Sequence, residues 1–292
     1  MNFIKKHSFI FVAIMVLVVG MAIAGCGSSN SSSTTPSPVP TATTQPPAST
    51  EPITSPAPTS APSIAWASYN GSVLPDANTP AFILSDATTI STTILNNDGT
   101  VRFDTTPGGT ASTAKADWRI NNFFSATPSK VTLLFRMKYN AKGANNADAT
   151  RAAEVDLHTG YNSASGARIK FIVRGDSNKL QIEKPLNTSD STISEPSTDT
   201  SVYHIYQITY DIDAAKATAT VSVYVDGTLV SNMSNVAVSG LVSTNNCLLI
   251  GDGGGSAYCC DIDWVAWTFD GAFTPTQVKG SLPSGLGVTT GY

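Results

Sequence analysis

From residue 130 onward the chain repeats one pattern: short runs of alternating apolar and polar residues, separated by Gly, Asn, Asp and Pro. These runs are rich in Val, Ile, Thr and Tyr, the residues that favour strands. No stretch has helical periodicity. The pattern therefore predicts an all-β domain built as an antiparallel β-sandwich. The predicted strands cover residues 130–139, 152–158, 168–174, 179–183, 202–210, 218–225, 247–251 and 261–269.

The N-terminal segment carries a targeting signal. Lys5 and Lys6 precede an apolar run over residues 9–24, which is shorter than the ~20 residues a spanning helix needs. The run ends in Ile-Ala-Gly followed by Cys26, which resembles the lipobox of bacterial lipoproteins. The resemblance implies a signal peptide over residues 1–25 and a diacylated Cys26 as the mature N-terminus. The alternatives are an ordinary signal peptide with a chance cysteine, or an anchor helix.

We interpret residues 26–63 as a tether. Nine of the chain's seventeen prolines lie here, the only charge is Glu51, and the rest is mostly Ser, Thr and Ala. Such a segment buries too little apolar surface to fold and favours extended conformations. We therefore expect a secreted protein, held to the cell membrane or outer membrane only through lipid, with residues 64–292 as one extracellular domain.

Charge is scarce, at 13% of residues, with a net charge of −4. No basic patch interleaved with aromatic residues occurs, so the composition argues against nucleic acid as a partner.

Two C-terminal segments resemble laminin-G-like domains. The strand–turn–strand of residues 208–230 contains the "YVDG" turn, and residues 247–275 resemble the closing segment of these domains. The matching positions are Leu248, Ile250, Gly251, Ile262, Asp263, Val265, Ala272 and Pro275. The resemblance implies a concanavalin A-like jelly roll with one concave sheet. Lectins, carbohydrate-binding modules, glycosidases, polysaccharide lyases and adhesion modules share this fold, so it leaves the function open.

The hairpin of residues 152–158 and 168–174 supplies the main candidate site. Because strand side chains alternate, Glu154, Asp156 and His158 share one sheet face, and Arg168 and Lys170 share the corresponding face of the next strand. The functional interpretation is a polar groove that binds a polysaccharide or glycan. The alternative is cross-strand ion pairing on a solvated surface.

The same strand argues against hydrolysis. Glycosidases of this fold carry Glu-x-Asp-x-Glu or Glu-x-Asp-x-x-Glu, but His158 and Thr159 stand where the last Glu would be. The acid/base carboxyl is missing, so we predict no catalytic residue and favour a binding or adhesive module. A polysaccharide lyase remains an alternative, with His158 as base and Arg168 and Lys170 opposite a uronate. The third possible function is a surface module that binds proteins.

Aromatic residues are the second sign of sugar binding. Strand alternation places Tyr224 on the face opposite to Val223 and Val225, and Trp264 on the face opposite to Val265. Both rings are therefore candidate platforms for a sugar beside the polar groove. The alternative is that they pack in the core.

The remaining cysteines and the turn aspartates lead to two further expectations. In an oxidising compartment, Cys247 is expected to bridge to Cys259 or Cys260, with a vicinal bridge as the alternative. The laminin-G-like resemblance also implies calcium between loops, with Asp211, Asp213, Asp252 and Asp261 as available ligands. No other cofactor is expected.

Overall fold

The computed structural model describes residues 63–87, 92–105, 116–123, 129–142, 154–158, 168–174, 179–183, 192–194, 197–213, 215–216, 218–237, 246–252 and 258–288. The signal peptide, Cys26 and almost all of the tether lie outside these ranges, so the expectations about them stay predictions. Within the described residues, no helix is long and apolar enough to cross a membrane.

An eight-stranded antiparallel sheet forms one layer of the domain. Its strands are β1 (Ala67–Asn70), β3 (Thr92–Leu95), β4 (Val101–Asp104), β6 (Lys130–Lys142), β11 (His204–Asp213), β12 (Thr218–Val225), β13 (Thr228–Ala237) and β15 (Tyr258–Thr268). The order is β13-β12-β11-β6-β15-β4-β3, and β1 also pairs with β15.

A seven-stranded antiparallel sheet forms the other layer. Its strands are β2 (Ile83–Ala87), β5 (Ala116–Asn121), β7 (Glu154–His158), β8 (Arg168–Arg174), β9 (Lys179–Glu183), β10 (Thr192–Ser194) and β14 (Cys247–Asp252). The order is β10-β9-β8-β7-β14-β5-β2. The strands β7 to β10 are consecutive in sequence, whereas the pairings of β14 with β7 and with β5 join parts of the chain that are far apart. The two sheets confirm the predicted antiparallel β-sandwich.

The main core lies between the sheets. Val155, Leu248 and Ile250 enter it from the seven-stranded sheet, and Phe135 and Val265 enter it from the eight-stranded sheet. Each comes from a strand in which apolar residues alternate with others, so one face of each sheet is buried. The sequence pattern predicted these strands but missed β1 to β5, β10 and β13, which lie in weaker or shorter alternating runs.

A second apolar layer covers the outer side of the eight-stranded sheet. The C-terminal segment includes the short helix α1 (Pro275–Val278) and packs against this sheet. The buried members of this layer are Leu134, Ile205, Trp264, Ala266, Val278 and Leu286. The segment is also fixed by polar contacts, because Thr132 Oγ1 donates to the Gly271 carbonyl at 2.7 Å and Gln207 Nε2 donates to the Phe273 carbonyl at 2.6 Å.

The two ends of the domain meet at this layer. The Ala65 amide donates to Asp270 Oδ2 at 2.7 Å, and Asn70 Nδ2 donates to the Gly285 carbonyl at 2.7 Å. The first and last parts of the fold therefore stabilise each other.

Candidate functional site

The predicted charged residues lie on β7 and β8 of the seven-stranded sheet, at positions that alternate with the core residue Val155 and its partner Phe171. Alternation assigns these positions to the face away from the core, which we call the seven-stranded face. On β7 and β8, Asp156 lies directly opposite Lys170, and His158 lies directly opposite Arg168. Glu154 lies one row further along β7. The structure places these five residues by backbone register, and their side chains lie outside what it describes. The register brings all five predicted residues onto neighbouring strands.

On the other side of β14, two buried charges extend the seven-stranded face. The register runs from Asp156 through Leu249 to Arg119, and from Glu154 through Gly251 to Asp117. Arg119 Nη2 and Nε lie 2.7 and 3.3 Å from Asp117 Oδ2. Trp118 and Ile120 belong to the core, so Asp117 and Arg119 point to the opposite face of β5.

The burial of this ion pair distinguishes it from a solvated surface bridge. Asp117 is 2% exposed and Arg119 is 8% exposed, although neither points into the core. Moving two charges out of water costs several kcal/mol, and a buried pair is weak evidence for added stability. The pair therefore differs from the exposed ion pairs of the eight-stranded sheet, such as that between Lys130 and Asp211.

Gly251 separates the two acidic residues of one row. Its φ of +107° is a conformation that residues with a side chain rarely adopt. A Cβ atom at this position would lie 2.2 Å from the Ala116 carbonyl oxygen. The same Cβ atom would lie 3.2 Å from Cδ1 of the core residue Phe103, and Gly251 itself is buried. The β5–β14 contact therefore requires glycine here.

Asp117 and Arg119 were not among the predicted site residues. The sequence feature that could have indicated them is the alternation of polar and apolar residues over Asp117, Trp118, Arg119 and Ile120, which is typical of a strand with one polar face. The run is short, and nothing local indicates that it pairs with β14, beside the acidic strand β7.

Tyr224 and Trp264 do not join this site. Both lie in the eight-stranded sheet, on β12 and β15, so the predicted single groove with ring platforms is wrong. Trp264 is 1% exposed beneath the C-terminal segment and cannot act as an open platform. A register shift between Ile262 and Trp264 also puts Ile262 on the core face with Val265, whereas simple alternation had placed Ile262 with Trp264. Tyr224 is half-buried and points away from the core.

The predicted disulfide is absent. Cys247, Cys259 and Cys260 are all buried, and none of them forms a bridge. Cys247 lies on the seven-stranded sheet, on the side of β14 opposite the core residue Leu248. Cys260 points into the core from the eight-stranded sheet, and its neighbour Cys259 points the other way. The three thiols therefore belong to three different environments.

The proposed calcium ligands have other partners or do not converge. Asp261 pairs with Arg102, Asp213 with Lys216 at 2.7 Å and Asp211 with Lys130 at 3.9 Å, and Asp252 ends β14. In the described ranges, no group of three or more His, Cys, Asp or Glu side chains is arranged to hold a metal ion. Calcium binding remains an untested expectation.

A second charged cluster lies on the outer side of the eight-stranded sheet. Asp261 pairs with Arg102 at 2.7 Å and with Lys138 at 3.6 Å, and Arg136 pairs with Asp263. Arg136 Cζ and Lys138 Nζ lie 4.4 and 4.8 Å from the centre of the Tyr203 ring. Burial alone would raise the pKa of Asp261, but hydrogen bonds, above all from Arg102, outweigh it and lower the pKa. The cations are therefore engaged within the sheet, which makes this cluster a stabilising network.

No protein-family model and no curated protein matches the chain. Solved structures that are similar to it at low identity include the following three. An alginate lyase in complex with an alginate tetrasaccharide is 8% identical, with 71% of this chain and 97% of that chain covered and a TM-score of 0.49. Peanut lectin with a peptide is 12% identical, with 70% of this chain and 97% of that chain covered and a TM-score of 0.41. An endo-1,3-beta-glucanase from Streptomyces sioyaensis is 14% identical, with 73% of this chain and 99% of that chain covered and a TM-score of 0.43.

Proposed function

We propose that the protein is a cell-surface lipoprotein that presents a non-catalytic carbohydrate-binding module, with the seven-stranded face as its ligand site. The observation that supports this most is the register of that face. Asp156 and Lys170, and His158 and Arg168, stand in adjacent rows beside the buried Arg119–Asp117 pair. In a chain with only 13% charged residues, such a concentration is unlike a general solubilising surface.

The chemistry of these residues suits sugar hydroxyls. A hydroxyl both donates and accepts hydrogen bonds, so it pairs with carboxylates on one side and with guanidinium, ammonium or imidazole groups on the other. Such bonds are stronger when one partner is charged. The Arg119–Asp117 contact holds two buried side chains in place next to these residues.

The lipid anchor gives this site its location. The lipobox at Cys26 and the Ser/Thr/Pro tether would hold the domain outside the cell, attached to the membrane only through acyl chains. A module in this position would keep a polysaccharide, or a surface that carries glycans, close to the cell.

One observation favours a polysaccharide lyase as the second candidate. The register sets His158, a potential base, opposite Arg168, a potential partner for a uronate carboxylate. Hydrolysis has less support, because the strand lacks the second carboxyl group that a retaining glycosidase needs. A structural module that binds proteins through its loops would leave the seven-stranded face unused.

The deciding experiment combines binding with product detection. The chain from residue 27 onward is screened on a glycan array, and each hit is then incubated and assayed for reducing ends and unsaturated products. We expect binding without products. Asp156→Asn and His158→Ala should each weaken binding at least tenfold while the melting temperature changes little, and Asp211→Asn on the eight-stranded sheet is the matched control. Accumulating unsaturated product that His158→Ala abolishes would establish the lyase instead.

A further inference from the structure

Four strands end the two sheets, and in the described part of the chain only β3 lacks the features that protect a free sheet edge. The pairing of β13 has two register shifts, β10 is three residues long with one shift, and β2 has a shift between Leu84 and Asp86. The strand β3 pairs with β4 in an unbroken register and contains neither a charge nor a proline. Such an edge is a ready template for another strand.

Aliphatic side chains are exposed at this edge. Ile94 and Leu95 are each 46% exposed. Nε1 of the core residue Trp118 donates to Thr93 Oγ1 at 3.1 Å, so Thr93 and, by alternation, Leu95 face the space between the sheets. Leu84 lies opposite Trp118 on β2, the end strand of the other sheet, and is 45% exposed. Apolar surface between the two end strands therefore reaches solvent.

The backbone of β3 has hydrogen-bonding groups that point away from β4. The Asn96 amide donates to the Thr100 carbonyl at 2.8 Å, so these two residues form a hydrogen-bonded pair. Because such pairs alternate along an antiparallel ladder, Ile94 also bonds to β4, whereas the amides and carbonyls of Thr93 and Leu95 point outward. Among the strands of the described ranges, none pairs with this side of β3. The outward groups are therefore available to a partner strand.

We propose that β3 is the edge through which two copies of this chain pair antiparallel, so that their eight-stranded sheets join. The register that uses all the outward groups sets Thr93 of each copy opposite Leu95 of the other, and it sets the two Ile94 residues opposite each other on a two-fold axis. Because β3 has no charged residue, this pairing sets no like charges against each other. It also covers part of the exposed surface of Leu95 in both copies.

The size of the contact predicts a weak dimer. Stable interfaces contain about 20–30 residues a side, whereas β3 supplies four residues and a few neighbours. The lipid attachment at Cys26, which belongs to the proposed function, would hold the copies in one plane and raise their effective concentration towards the roughly millimolar range of short flexible links. Pairing would then present two domains together and increase the avidity for a repetitive polysaccharide.

The first test is a cysteine cross-link in membranes of cells that make the full chain. Residues opposite each other without mutual hydrogen bonds have Cα atoms about 4.5 Å apart, within the range of a disulfide. Under mild oxidation we expect Ile94→Cys to form at least tenfold more linked dimer than Leu229→Cys, which is exposed on β13 at the opposite edge of the same sheet. Equal linking in both variants, a link from Ile94→Cys to a different protein, or no link at all would overturn the proposal.

The second test separates the edge from the lipid anchor. The chain from residue 27 onward with Ile94→Cys should form linked dimer at about 1 mM and at least tenfold less at about 10 µM, because the contact is weak without the membrane. Adding Leu95→Lys should reduce the link at 1 mM at least tenfold, and adding Leu229→Lys, the matched control, should change it less than twofold. A link that is unaffected by Leu95→Lys contradicts the proposal. Neither test involves a glycan, so a failure of the proposed ligand site would leave both results unchanged.

Discussion

Arg102 holds the Asp261 carboxylate at two points, with Nε 2.7 Å from Oδ1 and Nη2 3.0 Å from Oδ2. Asp261 is 1% exposed and lies on β15 between Arg102 on β4 and Lys138 on β6. Removing its charge would leave two cations beside a buried amide. We expect Asp261→Asn to lower the free energy of unfolding by about 2 kcal/mol, a value reduced from that of fully buried pairs because Arg102 is partly exposed. Urea titrations would measure this, with Asp211→Asn, which breaks a solvent-exposed pair, staying within about 0.5 kcal/mol of the unchanged protein.

The same contact predicts a dependence on pH. The pKa of Asp261 is lowered in the folded protein, because the hydrogen bonds to Arg102 and its neighbours outweigh the effect of burial. A lowered folded-state pKa stabilises the protein at pH values above the unfolded pKa of ~3.9, and this stabilisation is lost as the pH falls through the folded value. The difference in unfolding free energy between the unchanged protein and Asp261→Asn should therefore be full near pH 6 and shrink below pH 4. A difference that does not change with pH would contradict the assignment.

Three reduced thiols are predicted for the chain from residue 27 onward. Thiol titration in denaturant, without reductant, should find Cys247, Cys259 and Cys260 unmodified. In the folded protein these thiols should react slowly, because all three are buried and because burial, above all other influences, raises the pKa of Cys259 to about 11. A bridge between any two of them, found by peptide mapping without reduction, would contradict the structure.

Two glycines with similar backbone angles should respond differently to alanine. Gly251 has φ +107° and Gly99 has φ +83°, but only at Gly251 would the new Cβ collide with backbone, at the Ala116 carbonyl oxygen. We expect Gly99→Ala to cost about 1 kcal/mol and Gly251→Ala more than about 3 kcal/mol, since backbone at a β5–β14 pair cannot move cheaply. Equal losses in thermal or urea unfolding would mean that the strands separate easily at this point.

Trp264 and Tyr224 should behave as parts of the eight-stranded sheet. Trp264→Ala empties a fully buried site under the C-terminal segment and should cost about 3–5 kcal/mol. Tyr224→Ala removes a half-buried ring and should cost about 1 kcal/mol or less. Tyr224→Ala should leave the affinity for a glycan bound at the seven-stranded face unchanged. A tenfold loss of affinity in Tyr224→Ala would indicate that the ligand binds to the eight-stranded sheet instead.

Cys26→Ser should release the protein from the membrane fraction, because the lipobox cysteine would be the only attachment point. Fractionation of cells that express either form, followed by detection of the domain, measures this. A Cys26→Ser chain that stays in the membrane fraction with residues 1–25 uncleaved would identify the segment as an anchor helix.

Alternation predicted β7 and β8 as strands, and the structure pairs them with Asp156 opposite Lys170 and His158 opposite Arg168. That these side chains form one ligand site stays a prediction. Prediction failed for Trp264, because its strand belongs to the eight-stranded sheet and the C-terminal segment covers its ring. It also failed for the disulfide. The expected oxidising compartment suggested a bridge between Cys247 and Cys259 or Cys260, but the strands that carry them belong to different sheets.

Alternation and composition by themselves determined that this chain forms strands with one buried and one polar face, after a lipobox-like segment and a Pro-rich tether. These are local properties, set by a side-chain period of two and by the apolar content of each run. Only the tertiary structure decided which sheet each strand joined. A strand has the same pattern in either layer, and its neighbour is chosen by packing and hydrogen bonds between residues far apart in the chain. That choice placed Arg119 in the same row as Asp156, and it separated Tyr224 and Trp264 from the charged rows.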